Sequence, residues 1–187
     1  MKLVLLGGPG AGKGTQAALL KDHFGIVHLS TGEVLREARA AGTELGRKAA
    51  EYMDAGRLLP DDIILGIVRE KLALPEMEKG FLLDGFPRTI PQAEGLEEML
   101  VDIKKPLDAV VSIEVPDEVV IDRLLKRAEI EGRSDDNRET IKKRLDVYYQ
   151  QTAPLKAFYE KRSILKTVDG VGTVEEIFNR VKIVLES

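Results

Sequence analysis

"GGPGAGKGTQ", residues 7–16, stands between an apolar run, "KLVLL" (residues 2–6), and a segment that reads as a helix, "AALLKDHF" (residues 17–24). From Gly7 to Lys13 it fulfils the pattern G-x-x-x-x-G-K, in the strand-to-helix setting that a phosphate-binding loop requires. The chemistry accounts for the residue types. Glycines let backbone amides turn toward phosphate oxygens, the helix beginning at Lys13 adds its positive dipole end, and the Lys13 ammonium supplies a point charge. A glycine-rich turn with Lys13 in solvent is the plain alternative, and the full pattern in this context weighs against it. One position departs from the usual form: Gly14 follows the lysine where Ser or Thr is common, so the hydroxyl expected near Mg²⁺ moves to Thr15. That departure argues against a signalling GTPase and for a nucleoside triphosphate site of the "GKGT" subgroup.

Outward from the loop, short apolar runs alternate with longer amphipathic ones. "LVLL" (3–6), "IVHL" (26–29), "FLLD" (81–84), "AVVSIEV" (109–115) and "ILKTV" (164–168) are each followed by a helical pattern. Five strands alternating with helices predict an α/β fold: a five-stranded parallel sheet flanked by helices, with strands apolar throughout because both faces are covered. Ser30, the Pro60-Asp61-Asp62 stretch and Thr173 mark helix starts by placing oxygens near N-terminal amides. Gly42, Gly46 and Gly56 read as breaks in the helical stretch between the second and third strands. A long helix is expected over 138–161, kinked at Pro154.

The 187 residues suit one domain with small inserted lobes. A net charge of −4 provides no global attraction for nucleic acid or an anionic membrane, so any anion must be held by a local cationic cluster. The absence of cysteine excludes a disulfide framework, thiolate metal sites and a cysteine nucleophile. No stretch approaches the ~20 apolar residues of a membrane span, and no signal-peptide pattern opens the chain, so a cytoplasmic protein is expected. His23 and His28 have no clustered partners and are assigned no chemistry.

A second anion site is written in "GFLLDGFPRT". Asp84 ends an apolar strand, at the edge of a parallel sheet where ligands gather, and is placed to orient water on Mg²⁺; Arg88 follows as a guanidinium fork for phosphate. Together, "GGPGAGKGTQ" and "DGFPR" resemble the signatures of the nucleoside monophosphate kinases, and specifically of the adenylate kinases, and the resemblance extends over essentially the whole chain. It implies the P-loop nucleoside triphosphate hydrolase type of fold, with ATP phosphates on Gly10, Ala11, Gly12, Lys13, Gly14 and Thr15. It implies an AMP site at Thr31, Arg36, Arg57, Leu58, Leu59, Gly85, Phe86, Pro87, Arg88 and Gln92. Pyrimidine-specific relatives usually carry Ala in place of Thr31 and Asn in place of Gln92, so both residues favour AMP over CMP or UMP.

Mixed charge from Arg123 to Arg144 would ordinarily be a solvated helix face. Phosphoryl transfer, however, needs cationic forks around a migrating group. The resemblance carries Arg127 to the ATP side, Arg133 and Arg144 to the phosphates gathered at transfer, Arg123 to a further phosphate-facing position, and Gly172 to the ATP base. Arg138 has no family counterpart and is expected on the lid or a helix surface. The implied division is a core of 1–29, 60–125 and 137–187, a monophosphate-binding lobe of 30–59, and a short lid of 126–136 hinged near Gly132. The brief lid lacks the insertion that is sometimes zinc-bound in larger members, so no structural zinc is expected. The implied activity is Mg²⁺-dependent transfer between ATP and AMP, giving two ADP, in a chain taken as a monomer. A UMP/CMP kinase is the near alternative. A nucleotide-switched binding module is the alternative from another class; it would have no use for "DGFPR" with Arg36.

Overall fold

The computed structural model describes residues 1–133 and 135–187. Its strands are β1 (Lys2–Leu6), β2 (Val27–Ser30), β3 (Phe81–Asp84), β4 (Ala109–Glu114) and β5 (Leu165–Asp169), joined in one sheet in the order β2-β3-β1-β4-β5. All four pairings are parallel. Parallel neighbours require crossovers, which explains the helix after every strand. These are α1 (Lys13–Phe24), α2 (Thr31–Ala40), α5 (Ile90–Asp102), α6 (Asp117–Glu131) and α9 (Val174–Glu186). Between α2 and β3 come α3 (Glu44–Asp54), α4 (Asp61–Leu72) and a 3₁₀ turn (Pro75–Lys79). Between α6 and β5 come α7 (Arg138–Val147), a π-helical turn (Tyr148–Thr152) and α8 (Leu155–Glu160).

The central strands β1, β3 and β4 are almost wholly apolar because the sheet is buried there on both sides, whereas the edge strands β2 and β5 depart from the expected continuous apolarity, carrying polar residues and staying partly exposed. Successive side chains point to opposite faces. Leu3 and Leu5 therefore join Ala17, Leu20, Ile177 and Val181 of α1 and α9, whereas Val4 and Leu6 join Val68, Ala93 and Leu96 of α4 and α5. Each fully buried Leu or Val contributes roughly 1.5–3 kcal/mol relative to exposure. The helix starts expected at Ser30 and Thr173 are caps: Ser30 Oγ accepts from Glu33 N–H, and Thr173 forms a reciprocal capping box with Glu176. At α4 the helix does begin at Asp61, with Asp61 and Asp62 in its first turn, but no side chain caps it and the Asp61 carboxylate turns instead to α5.

Two further expectations are corrected. Gly42 and Gly56 do break the helical stretch, both in the left-handed region at φ +66°. Gly46 does not; it lies inside α3, where a Cβ would stand 2.0 Å from the Ala38 carbonyl oxygen. A missing side chain there lets α2 and α3 touch. Nor is 138–161 one kinked helix. Ala153 N–H reaches back five residues to the Tyr148 carbonyl at 2.8 Å, so the chain widens into a π turn just before Pro154, which has no N–H to offer and whose ring crowds the preceding turn.

Register sets the site. Leu5 pairs with Asp84, and Ser30 pairs with the same residue from the other side. The carboxyl ends of β1, β3 and β2 thus release the glycine loop, the Asp84-Gly85 turn and Thr31 side by side, at the sheet edge where ligands of parallel sheets bind.

Candidate active site

A cleft of about 760 Å³ opens over that edge. Apart from Ala11 and Phe86, every residue named for the site on sequence grounds lines it. Ala11 and Phe86 are each 1% exposed and belong to the core, so their side chains do not face the cleft. Arg138, on the first turn of α7, is exposed and is not among the lining residues.

At one end the glycine loop runs into α1. Gly10 has φ +78°, and a Cβ there would stand 2.8 Å from the Leu124 side chain, so both conformation and space exclude other residues. The first turn of α1 has no capping side chain and no acidic residue, which leaves orphan amides and a positive dipole end facing the cleft. Lys13 folds back over the loop, donating from Nζ to the Gly7 and Gly8 carbonyls at 2.9 and 3.0 Å. Its pKa is pushed down to about 8, chiefly by burial; Asp84 opposes the shift and the nearby Arg88, Arg144 and Arg127 add to it.

Across the cleft, Arg88 donates from Nε to the Gly85 carbonyl at 2.7 Å, and Thr31 Oγ1 donates to the same oxygen at 2.9 Å. Burial and the charge of Arg144 hold the Arg88 pKa below its ordinary value, and burial with Arg133 does the same for Arg36. Cations that depress one another in this way stand close together, and the nearby carboxylates, Asp84 and Asp135 for Arg88 and Asp135 and Glu33 for Arg36, offset the effect only in part. Farther along, Arg127 forks onto Asp136 at 2.6 and 2.8 Å, and Arg144 bridges Asp136 and Asp135 at 2.8 and 2.9 Å. Asp136 is 1% exposed; burial opposes its charge, yet the Arg127 hydrogen bonds and surrounding arginines hold its pKa below the usual carboxylate range. Arg133 pairs with Glu131 at 2.5 Å, and Arg123 donates to the Gly170 carbonyl at 3.0 Å, beside Gly172. Arg57 lies over the Tyr52 ring at 5.0 Å, next to Leu58 and Leu59 on the cleft wall.

Asp84 is 8% exposed, with Lys13 as a charged neighbour. Burial works against its ionisation, but the approach of His28 and the charge of Lys13 hold its pKa below the ordinary value. His28 Nε2 stands 3.5 Å away and has no hydrogen-bond partner in the structure, so it acts on Asp84 as an electrostatic neighbour. Among the described residues no group of three His, Asp or Glu side chains could hold a metal. One ionised carboxylate beside a phosphate loop instead fits an ion carried mainly by phosphate oxygens and water, which is how Mg²⁺ is usually bound with nucleotides.

A sequence model described as "Adenylate kinase" matches residues 5–164. The chain is 52% identical over 187 residues to an adenylate kinase of Thermobifida fusca, covering 100% of this chain and 99% of the relative. It is 52% identical over 181 residues to one of Xanthomonas euvesicatoria, covering 97% of each, and 50% identical over 181 residues to one of Stenotrophomonas maltophilia, again covering 97% of each. The chain belongs to the adenylate kinase family.

Around the cleft, in which the resemblance places Gln92 at the AMP base, stand three residues to which motif reading gave no part in the site: Asp61, Thr152 and Gln16. Gln92 is held on both sides, its Oε1 accepting from Arg88 N–H at 2.7 Å and its Nε2 donating to Asp61 at 2.8 Å. Thr152, in the π turn, donates to the Arg88 carbonyl at 2.8 Å, so both polar groups of the Arg88 main chain are tied down. Gln16 donates to the Val174 carbonyl at 3.0 Å and joins the phosphate-loop helix to the start of α9. Asp61, Thr152 and Gln16 act across 31, 64 and 158 positions of chain, so no local spacing could reveal them. Only the extra polarity of otherwise apolar helix faces hints at them.

Proposed function

We propose that the chain transfers the terminal phosphoryl group of ATP reversibly to AMP, giving two ADP, as a monomer in the cytoplasm with Mg²⁺. One observation carries the site-level reading: Lys13 with the glycine loop and Arg88 with Arg36 line one continuous cleft, so two nucleotides can meet by their phosphates. ATP phosphates lie on the amides of 10–15 and on Lys13, with the base toward Gly172. The AMP phosphate is gripped by Arg36 and Arg88, and its base is enclosed by Thr31, Leu58, Leu59 and Gln92. In chain terms 30–59 is the monophosphate lobe and 126–136 the lid on a core of 1–29, 60–125 and 137–187; Ser134, within the lid, lies outside the described residues. No helix among the described residues is long and apolar enough to cross a membrane.

The accepting AMP phosphate is already an anionic nucleophile, so no general base is required. Catalysis is alignment of donor and acceptor oxygens together with neutralisation of charge spread over the migrating group. Arg123, Arg127, Arg133 and Arg144 deliver that neutralisation from the lid side and Lys13 from the loop. Arg127 and Arg144 are held by Asp135 and Asp136, and phosphate oxygens offer the same bidentate geometry and compete for them. When bound, Mg²⁺ would be held by Asp84 through water and would neutralise charge on the bridging oxygens. Closure excludes the water that would otherwise hydrolyse ATP.

A coupled assay with ATP and a panel of AMP, CMP, UMP and GMP tests the reading. AMP is expected to be the preferred acceptor, with kcat/KM above the others; CMP outrunning AMP would overturn it.

A further inference from the structure

We propose that Asp61 is a specificity-determining positioning residue: by holding the Gln92 amide it sets which way that amide faces the monophosphate base, and so selects a 6-aminopurine over a 6-oxopurine. The inference rests on the reading of this part of the cleft as the AMP site. Asp61 opens α4 and is not among the residues lining the cleft. Its Oδ1 accepts two hydrogen bonds from the start of α5, from Thr89 Oγ1 at 3.0 Å and from Gln92 Nε2 at 2.8 Å. Thr89 in turn caps α5 by accepting Gln92 N–H at 3.2 Å, so one network joins the two helices.

The network leaves the amide a single orientation. A carboxylate oxygen only accepts and a main-chain N–H only donates, so the NH₂ of Gln92 must face Asp61 and its carbonyl must face Arg88 N–H. A primary amide carries two N–H donors and two acceptor lone pairs. One of each is consumed internally. What remains is one donor and one acceptor on a residue that is 2% exposed and lines the cleft. Buried as they are, those two valences favour a ligand that matches them and penalise one that does not. Adenine offers an amino donor at C6 beside ring-nitrogen acceptors. A 6-oxopurine replaces that donor with an oxygen, which would set two lone pairs against each other at the Gln92 carbonyl. Asp61 does no chemistry itself; it keeps the reading edge from swinging.

The test is steady-state kinetics with ATP and either AMP or inosine monophosphate, which differ at C6 in the required sense, on the wild type, Asp61→Leu, Asp61→Asn and Gln92→Leu. Removing the acceptor in Asp61→Leu is expected to raise the KM for AMP about tenfold, as loss of a hydrogen bond to a charged group does, and to narrow the AMP-to-inosine preference by a similar factor. The kcat and the KM for ATP should stay near wild type, which also reports that the variant is folded; Asp61→Ala replaces Asp61→Leu if the latter does not fold. Asp61→Asn keeps an accepting oxygen and should restore both quantities to within about threefold. An unchanged AMP KM and preference in Asp61→Leu overturns the proposal, as does an Asp61→Asn variant as impaired as Asp61→Leu. Gln92→Leu separates the two layers. If it leaves the preference intact, the reading of Gln92 at the AMP base is wrong and the proposal falls with it; if it abolishes the preference while Asp61→Leu does not, only the role of Asp61 is wrong.

Discussion

Lys13 sits among arginines, with its pKa near 8 in place of the ordinary 10.5, because burial and its cationic neighbours outweigh the attraction of Asp84. The sign of the consequence follows from linkage. Between about pH 8 and 10.5 the unfolded chain holds a proton on this amine that the folded chain has lost, so stability rises with pH across that window and the gain disappears as pH falls through 8. Lys13→Met has no such group. The unfolding free energy of the wild type minus that of Lys13→Met, from urea titrations without nucleotide, is therefore expected to climb above pH 8 and level off near 10.5, by at most about 3 kcal/mol. A flat difference would mean that the amine is not strained by its surroundings. The fold thus tolerates a buried cation among other cations. At this scale Lys13, Asp84 and Arg88 were legible because the glycine spacing and the strand-end carboxylate are local. His28 was not: two histidines without clustered partners in the sequence are assigned no chemistry, and only the pairing of β2 with β3 brings one to 3.5 Å from Asp84.

Among the elements, the α2/α3 hairpin depends on a single missing side chain. A Cβ on Gly46 would overlap the backbone of α2, with the Ala38 carbonyl oxygen at 2.0 Å and its carbon at 2.3 Å, and neither atom can move without moving the helix. Gly46→Ala is expected to destabilise the protein by about 1–3 kcal/mol or more, since overpacking is relieved only by parting the helices. It should also raise the KM for AMP while leaving the KM for ATP unchanged, because α2 carries Thr31 and Arg36. Thermal unfolding and steady-state kinetics check both. Periodicity located the strands to within a residue or two, since a run buried on both faces has a clear signal. It misread Gly46, because glycine at a close helix contact and glycine at a break look alike in a sequence. The π turn was hidden for a related reason: Pro154 announces a disturbance, but nothing in its neighbourhood shows that Ala153 N–H will reach back to the Tyr148 carbonyl or that Thr152, in the same turn, will bond the distant Arg88 carbonyl.

Across the whole molecule, the cationic groups of the loop, of the α2 and α5 starts and of α6–α7 converge on one cleft from five separate stretches of chain. A mimic joining two adenosines through five phosphates should bind once per chain and bridge both ends. Calorimetry is expected to give a stoichiometry of one, with an unfolding free energy raised by about 2.7 kcal/mol at a hundredfold excess over Kd. Two mimics per chain, or none, would contradict a shared phosphate track. The amino-acid sequence by itself determined the five-stranded parallel architecture, the glycine loop between β1 and α1 and the residue types that line the two ends of the cleft, because hydrophobic period and loop chemistry act between near neighbours. Only the tertiary structure decided how those residues are held: Arg127 and Arg144 on Asp136, Gln92 between Arg88 and Asp61, and His28 against Asp84. Such pairings depend on through-space distance after the sheet has closed, and an electrostatic field or a hydrogen bond does not register how many residues of chain separate its partners.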